Sequence, residues 1–547
     1  MNSLCKSVIL IIFIMNSCTV KKPADLIVVN ASVYVMDEDF SVAECLVVNN
    51  GKVVASGPTN QITAQFKSEN VIDATGKFIY PGFNDAHTHF TGYGLNLMQY
   101  ADLSGTKSPD EIYEILLHHQ SNFNGKWLLG RGWDQNDWDV AEFPDKKRLD
   151  ELFPDIPVYL IRVDGHAGWC NSKALSLAGI DNNTTIAGGK IIISKGEPTG
   201  ILIDNAMNMV SALIPEPDSG LLKQALLKAQ IKCLEAGLTS VTDCGVDNET
   251  IIIMKQLHEE GSLKMRINAM INPTEENFET FLPKGPSIEE RLTINSIKLF
   301  SDGALGSRGA LLLDDYADDP GNTGIQTRSH EYFDSICQLA YKHNFIVATH
   351  AIGDGANRMM LDIYGNILKG ENNRRWRIEH AQIISPEDFE KFAAYSIIPS
   401  IQATHCTSDM GWVEDRIGKD RIPGAYAYQT LLRQNGWLPN GTDFPVESIN
   451  PLYTFFSSVF RTDHYHQPVG GWRPEEGLTR EQTLRSMTSW AAKASFEENV
   501  KGSLESGKYA DFIIIDTDLM SAKPNEVLNA TIESTWVAGK KVYDSNE

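Results

Sequence analysis

The chain reads as an α/β protein: a (β/α)8 TIM-like barrel, with a small β-sandwich built from both chain ends and a cap inserted after the first barrel strand. Three observations predict this. Eight short apolar runs recur between residues 83 and 443, and helix-length amphipathic stretches separate most of them, which is the alternation of a parallel barrel. Five of those runs close on a histidine, lysine or aspartate, side chains that make sense at the end of a buried strand when strand ends converge on a cation. Both termini are patterned as short alternating strands, each too small to bury a core alone.

Taken in order, the chain opens on Lys6, the apolar run 7–15 and then Asn16-Ser17-Cys18. Residues 1–17 read as a signal peptide, too short to serve comfortably as a permanent membrane helix. Small Ser17 before Cys18 resembles a bacterial lipobox. The expectation is an exported lipoprotein, lipidated at Cys18 and held on the periplasmic or cell-surface side of a membrane; a plain signal peptide cut nearby is the alternative. Residues 25–80 hold short strands at 26–29, 31–36, 44–49 and 52–57, and β patterning resumes at 502–516 and 534–543. Residues 25–80 plus 500–547 are therefore expected to form the sandwich.

The barrel is assigned to residues 81–89 plus 223–499. Its strands are read at 83–89, 237–244, 265–271, 294–300, 345–350, 376–380, 397–401 and 438–443, with helices such as 221–236 and 332–343 between them. The stretch 90–222 is far longer than an ordinary barrel connection. It carries its own strands at 127–131 and 158–163 and reads as a cap, because functional insertions sit on the loops at the active face of a barrel.

His87 and His89 are two apart, so on a strand both face the same way. A lone pair of this kind is weak evidence, and a single histidine is more often a satisfied core residue than a ligand. The ordered set His87, His89, Lys298, His350, His380 and Asp443 is stronger, because each falls at a strand end on the face where such barrels place their chemistry. Imidazole nitrogen and carboxylate oxygen suit a divalent metal, zinc above all, with one or two ions per chain.

The segments Pro81-Gly-Phe-Asn-Asp-Ala-His-Thr-His89, Lys298-Leu-Phe-Ser-Asp-Gly-Ala-Leu-Gly-Ser-Arg308, His350-Ala-Ile-Gly-Asp354, Arg377-Ile-Glu-His-Ala-Gln382 and Gly441-Thr-Asp-Phe-Pro445 resemble the amidohydrolase superfamily. More narrowly they resemble amidohydrolase family 3, the branch containing N-substituted formamide deformylase. The likeness runs over nearly the whole chain after residue 24, and Gly130-Arg-Gly-Trp-Asp-Gln-Asn136 and Asp164-Gly-His-Ala-Gly-Trp169 are also similar to that branch. It implies that His87, His89, His350, His380 and Asp443 are metal ligands. Lys298 resembles the lysine that, when carboxylated, bridges two metals in binuclear members.

Hydrolysis at such a centre needs a base and then an acid. Asp443, at the end of the eighth strand, is assigned that proton shuttle. Trp133, Asp134, His166 and Trp169 in the cap, and Arg308 on the loop after the lysine-bearing strand, are candidates for substrate contact; packing of the tryptophans and a salt bridge for Arg308 are the structural alternatives. The reading is a metal-dependent hydrolase of a non-peptide C–N bond in a small N-acyl or N-formyl amide. Cyclic amides or esters on the same site, or a non-catalytic metal-containing binding lipoprotein, are the alternatives.

Composition narrows the partners. With 48 basic and 71 acidic residues the formal charge is −23, which argues against nucleic acid. The membrane is contacted only through Cys18, and a homodimer is left open. Beyond Cys18, Cys45, Cys170, Cys233, Cys244, Cys337 and Cys406 are scattered without a Cys-Xaa-Xaa-Cys pair, so they read mostly as small core residues rather than a zinc site.

Overall fold

The computed structural model describes residues 21–122 and 125–546, so the leader and Cys18 lie outside the described residues. Seven parallel strands form the barrel wall: β1 (Phe83–Thr88), β2 (Leu238–Val246), β3 (Arg266–Ile271), β4 (Leu292–Phe300), β5 (Ile346–Ala351), β6 (Arg377–His380) and β7 (Ile398–Ser400). They pair in sequence order, each with the next. Their residues are buried almost throughout, as expected where helices cover one face and barrel side chains fill the other. Leu238, Ile267, Ile297, Val347 and Ile378 belong to one continuous core that the surrounding helices share.

The eighth position differs from expectation. Residues 438–443 close the barrel but do not form a regular ladder: Ile401 bridges Asn440 in parallel, Gly441 N–H donates to Ile401 O at 2.9 Å, and Asp443 N–H donates to His87 O at 2.9 Å. The reason is local. The Asp85 carboxylate accepts from Thr442 N (3.0 Å) and Thr442 Oγ1 (2.7 Å), replacing ladder bonds and bending the segment against β1. A Cβ at Gly441 would lie 2.6 Å from His87 N, so only glycine permits this approach.

The helices behind the wall are punctuated by their sequences. Ser219–Glu235 starts where the Asp218 side chain accepts from Leu221 N. His330–His343 starts at Ser329, whose hydroxyl accepts from Tyr332 N, and ends at Asn344 in the left-handed region.

Both chain ends enter one six-stranded sheet, in which Phe512–Ile515 lies between Phe78–Pro81 and Ile532–Val537. A four-stranded sheet of Lys52–Gly57, Cys45–Asn49, Leu26–Val29 and Val71–Asp73 packs on it through Leu26, Val28, Leu46, Phe512 and Trp536. The single strand expected over 534–543 is instead a hairpin, Ile532–Val537 with Lys540–Asp544. Its turn residues Ala538 and Gly539 both have positive φ, the two-residue turn that matches strand twist.

Residues 101–204 supply a separate six-stranded sheet with its own apolar core, including Leu128, Leu160, Trp133 and Trp169. The six described cysteines are buried and free. Among the described residues no helix is long and apolar enough to cross a membrane.

Candidate metal centre

The ends of β1 and β6 and the closing segment meet at one carboxylate. Asp443 Oδ1 lies 3.3 Å from His89 Nε2 and 3.6 Å from His87 Nε2, and Asp443 Oδ2 lies 3.0 Å from His405 Nε2 and 4.0 Å from His380 Nδ1. Two groups of three result, His87–His89–Asp443 and His380–His405–Asp443, each with its ligand atoms within 4.8 Å of one another. His87 is fully buried, whereas the His89 side chain is 30% exposed and opens onto the cavity above.

The residues fit a divalent cation. Asp443 Oδ1 and His380 Nδ1 are buried and have no hydrogen-bond partner among the described residues. Such atoms are costly to bury unless something satisfies them. The donor set of imidazole nitrogens and a carboxylate is that of zinc-type sites. Asp443 (φ 61) and His380 (φ 72) both hold left-handed backbone, which strains a non-glycine residue and is tolerated where the surroundings fix it.

Electrostatics put His87, His380 and Asp443 in ligating forms, whereas at His405 burial works against the charge but the bonds to Asp443 and Glu447 outweigh it and raise the imidazole well above the usual value. Burial, reinforced by Lys298, holds the His87 imidazole at about 4, and burial pushes His350 and His380 well below the usual value, so all three are neutral at pH 7. Burial works against ionising Asp443, but His87, the bond from His405 and the nearby His89 outweigh it and keep the carboxyl well below the usual range.

A second layer orients these groups. Glu379 Oε2 sits 2.6 Å from His87 Nδ1, which leaves Nε2 for a cation. Glu379 in turn faces Arg377 Nε at 2.8 Å. Burial raises its pKa, yet Arg377 and His87 bring it to about 2.

Lys298 is fully buried with Nζ 3.1 Å from His87 Nε2, so the structure brings it into the same cluster. His350 packs its ring 4.6 Å from that of His380, but its Nε2 turns to Gly303 O at 3.3 Å and its nitrogens stay outside both groups of three. His405 is a member that the sequence does not announce. It follows β7 by a few residues in a short helix, Thr404–Asp409, so the strand-end rule that marks the others passes over it. Its Nδ1 lies 3.2 Å from Glu447, and Glu379 is missed likewise because it precedes a recognised histidine.

The cap candidates divide. His166 reaches the site: its ring stands 4.9 Å from His350, and its Nδ1 is held by Asp204 at 2.7 Å. Asp134 lines an inner pocket of about 230 Å3 together with His380, His405 and Asp443, and is paired with Arg162. Trp133 and Trp169 do not reach it. Both are fully buried in the cap core, where Trp133 Nε1 donates to Leu160 O at 3.0 Å and Trp169 Nε1 to Asp145 O at 3.2 Å. Arg308 is also corrected: it is held in an ion pair with Asp318 at 2.8 Å and lines neither cavity. The inner pocket continues into a cavity of about 680 Å3 between cap and barrel, which His89, His166 and Arg131 share.

A barrel with histidines and an aspartate converging at its strand ends, under a cap, defines a metal-dependent hydrolase. Comparison with known proteins places it further: residues 70–543 match the model of the amidohydrolase family known as Amidohydro_3, and the chain belongs to that family. It is 33% identical to protein LONG AFTER FAR-RED 3 of Arabidopsis thaliana, over 95% of this chain and 92% of that one. It is 25% identical to the N-substituted formamide deformylase of Arthrobacter pascens, over 95% and 98% of the two chains. Among solved structures, an uncharacterized metal-dependent hydrolase from Pyrococcus horikoshii OT3 superimposes with a TM-score of 0.73 at 28% identity, covering 91% of this chain and 99% of that one.

Proposed function

We propose that this protein hydrolyses a non-peptide, amide-type C–N bond in a small N-acyl or N-formyl substrate. The observation that carries the reading is Asp443, a buried ionised carboxylate shared by two histidine pairs at the floor of a capped cavity. The likeness to a formamide deformylase supports it. His87, His89, His380 and Asp443 would hold the cation, which we infer to be zinc. When bound, such a cation supplies Lewis acidity that favours water ionisation near neutral pH and polarises a carbonyl.

The chain's own groups do the rest. Asp443 accepts the proton that the attacking water loses and returns it to the departing nitrogen. His405 Nε2, 3.0 Å from Asp443 Oδ2, orients that carboxylate, and Glu379 fixes His87. Lys298, buried beside His87, would serve the same centre either as a carbamate ligand or as an unmodified amine, and metal stoichiometry separates these. The cap roofs the pocket and restricts access of bulk water.

The test is elemental analysis together with turnover by the metal-replete protein on N-formyl amines, N-acyl amines, lactams and esters. Metal retention with turnover of the open-chain amides is expected, and failure on every amide by the loaded protein refutes the reading. The leader sequence supports placement as a lipoprotein anchored through Cys18; fractionation of Cys18→Ser should move the protein from membrane to soluble fraction, and retention in the membrane refutes the anchor.

A further inference from the structure

Arg131 has no role in the scheme above. It lies in the cap strand Leu128–Trp133, two residues before the buried Trp133, and it lines the same cavity as His89. Of its five N–H groups only one has an acceptor among the described residues: Nη2 donates to Val163 O at 3.2 Å. Its Nε is wholly enclosed and without a partner, and among the described residues no carboxylate stands within ion-pair distance. Acids that line the same cavity are committed elsewhere. Asp164 takes Arg162 Nη1 at 2.5 Å and His166 N at 3.0 Å, and Asp204 takes His166.

Gly165, at φ +77, lies against the guanidinium. A Cβ there would sit 3.5 Å from Nη2 and 3.7 Å from Nη1. The cavity around this fork is mixed: Tyr100, Tyr159, Met207, Ile214 and Tyr332 give it an apolar wall, Asp164, Asp204, Glu216 and Asp302 also line it, and exposed Arg328 stands among its lining residues.

We propose that Arg131 is a specificity-determining residue that binds a carboxylate carried by the substrate, which makes the preferred class an N-acyl or N-formyl amide bearing both a carboxylate and an apolar group. The inference rests on the amide-hydrolase reading. A guanidinium fork matches a carboxylate through two parallel hydrogen bonds, and an enclosed guanidinium left unmatched is unfavourable. Of the acids lining the cavity, Asp164 is engaged by Arg162, Asp204 by His166 and Asp302 by the N–H groups of Leu311, Ile352 and Gly353, and charges farther than about 8–10 Å are largely screened at physiological salt. The apolar wall takes the rest of the molecule while the amide lies toward His89 and Asp443.

The experiment uses the metal-replete protein and a matched pair, N-formyl-leucine and its neutral carboxamide, with formate release as the readout. Wild type should prefer the carboxylate by about 10²-fold in kcat/KM. Arg131→Met should bring that ratio toward one, chiefly through KM, and Arg131→Lys should restore part of it. Calorimetry of N-formyl-leucine binding, which needs no turnover, is run on the same three proteins, with circular dichroism as the check on folding. Equal rates for the two compounds in wild type, or a preference that survives in Arg131→Met, overturns the inference while the amide-hydrolase reading stands. Carboxylate binding that depends on Arg131 without turnover of either compound supports the carboxylate site, and the hydrolase reading falls only if the wider amide panel fails as well. Absence of Arg131-dependent binding and of any carboxylate preference overturns the inference.

Discussion

Glu379→Gln tests the support beneath the metal centre. In the wild-type protein one carboxylate does two things: Oε2 accepts from His87 Nδ1 at 2.6 Å and Oε1 faces Arg377 Nε at 2.8 Å, all three groups fully buried. An amide has one acceptor oxygen and one NH2 group. Whichever way the substituted side chain turned, a donor would meet a donor, at His87 or at Arg377. The Arg377 charge has little else to lean on: among the described residues Nη1 has no partner, and Nη2 meets only Met270 Sδ, at 3.6 Å. Breaking a buried pair while leaving one charge behind costs about 3–5 kcal/mol. Loss of the carboxylate behind a ligating histidine lowers metal affinity by roughly 10–100-fold, or about 1.4–2.7 kcal/mol. The two effects are read separately, by the thermal midpoint of the metal-free protein and by chelator competition on the loaded protein. Both should fall. Unchanged metal affinity in a folded Glu379→Gln variant would refute the claim that Glu379 orients His87 toward a cation.

Asp443→Asn should lose about 10²-fold or more in turnover, and His405→Ala should lower turnover in the same direction by freeing the Asp443 carboxylate; near-normal rates in the first would remove Asp443 from proton transfer. Trp133→Ala should destabilise the cap by about 3–5 kcal/mol through a cavity in its core, measured by denaturation, and a variant of normal stability with altered KM would contradict the burial of this ring. His258, far along the chain from the site residues, is held at about 4 by burial, with Nε2 3.2 Å from Met265 O. The unfolded chain takes up its proton near the ordinary value of about 6.5, so this group's contribution is present above that pH and is lost as pH falls toward 4. The thermal midpoint should therefore drop over that window, less so in His258→Gln, and an identical slope in both proteins would exclude this histidine as a cause.

The barrel was legible in the sequence because strand periodicity is a local property. Apolar runs such as 265–271 and 345–350 carry their own evidence of burial, and the observed strands β3 and β5 fall on them within a residue at each end. The ligand types at the strand ends were legible for the same reason. The structure brings His87, His89, His380 and Asp443 together, and Lys298 beside them, from segments that a linear reading could only count.

What tertiary structure decided is which way particular side chains face. Trp133 and Asp134 are adjacent in sequence, yet Trp133 packs into the cap core while Asp134 meets the pocket, because successive residues leaving a strand point to opposite sides. His405 became part of the centre from a short helix after β7, and no local pattern announces its meeting with Asp443. Lone histidines and arginines look alike in sequence whether paired or free. Arg308 proved to be matched by Asp318, whereas Arg131, given no role of its own by the sequence, has no carboxylate within ion-pair distance among the described residues. The residue type at each strand end was set by the chain itself, while pairing, burial and the aim of each charge depended on neighbours distant in sequence, since hydrogen bonds and desolvation act through space.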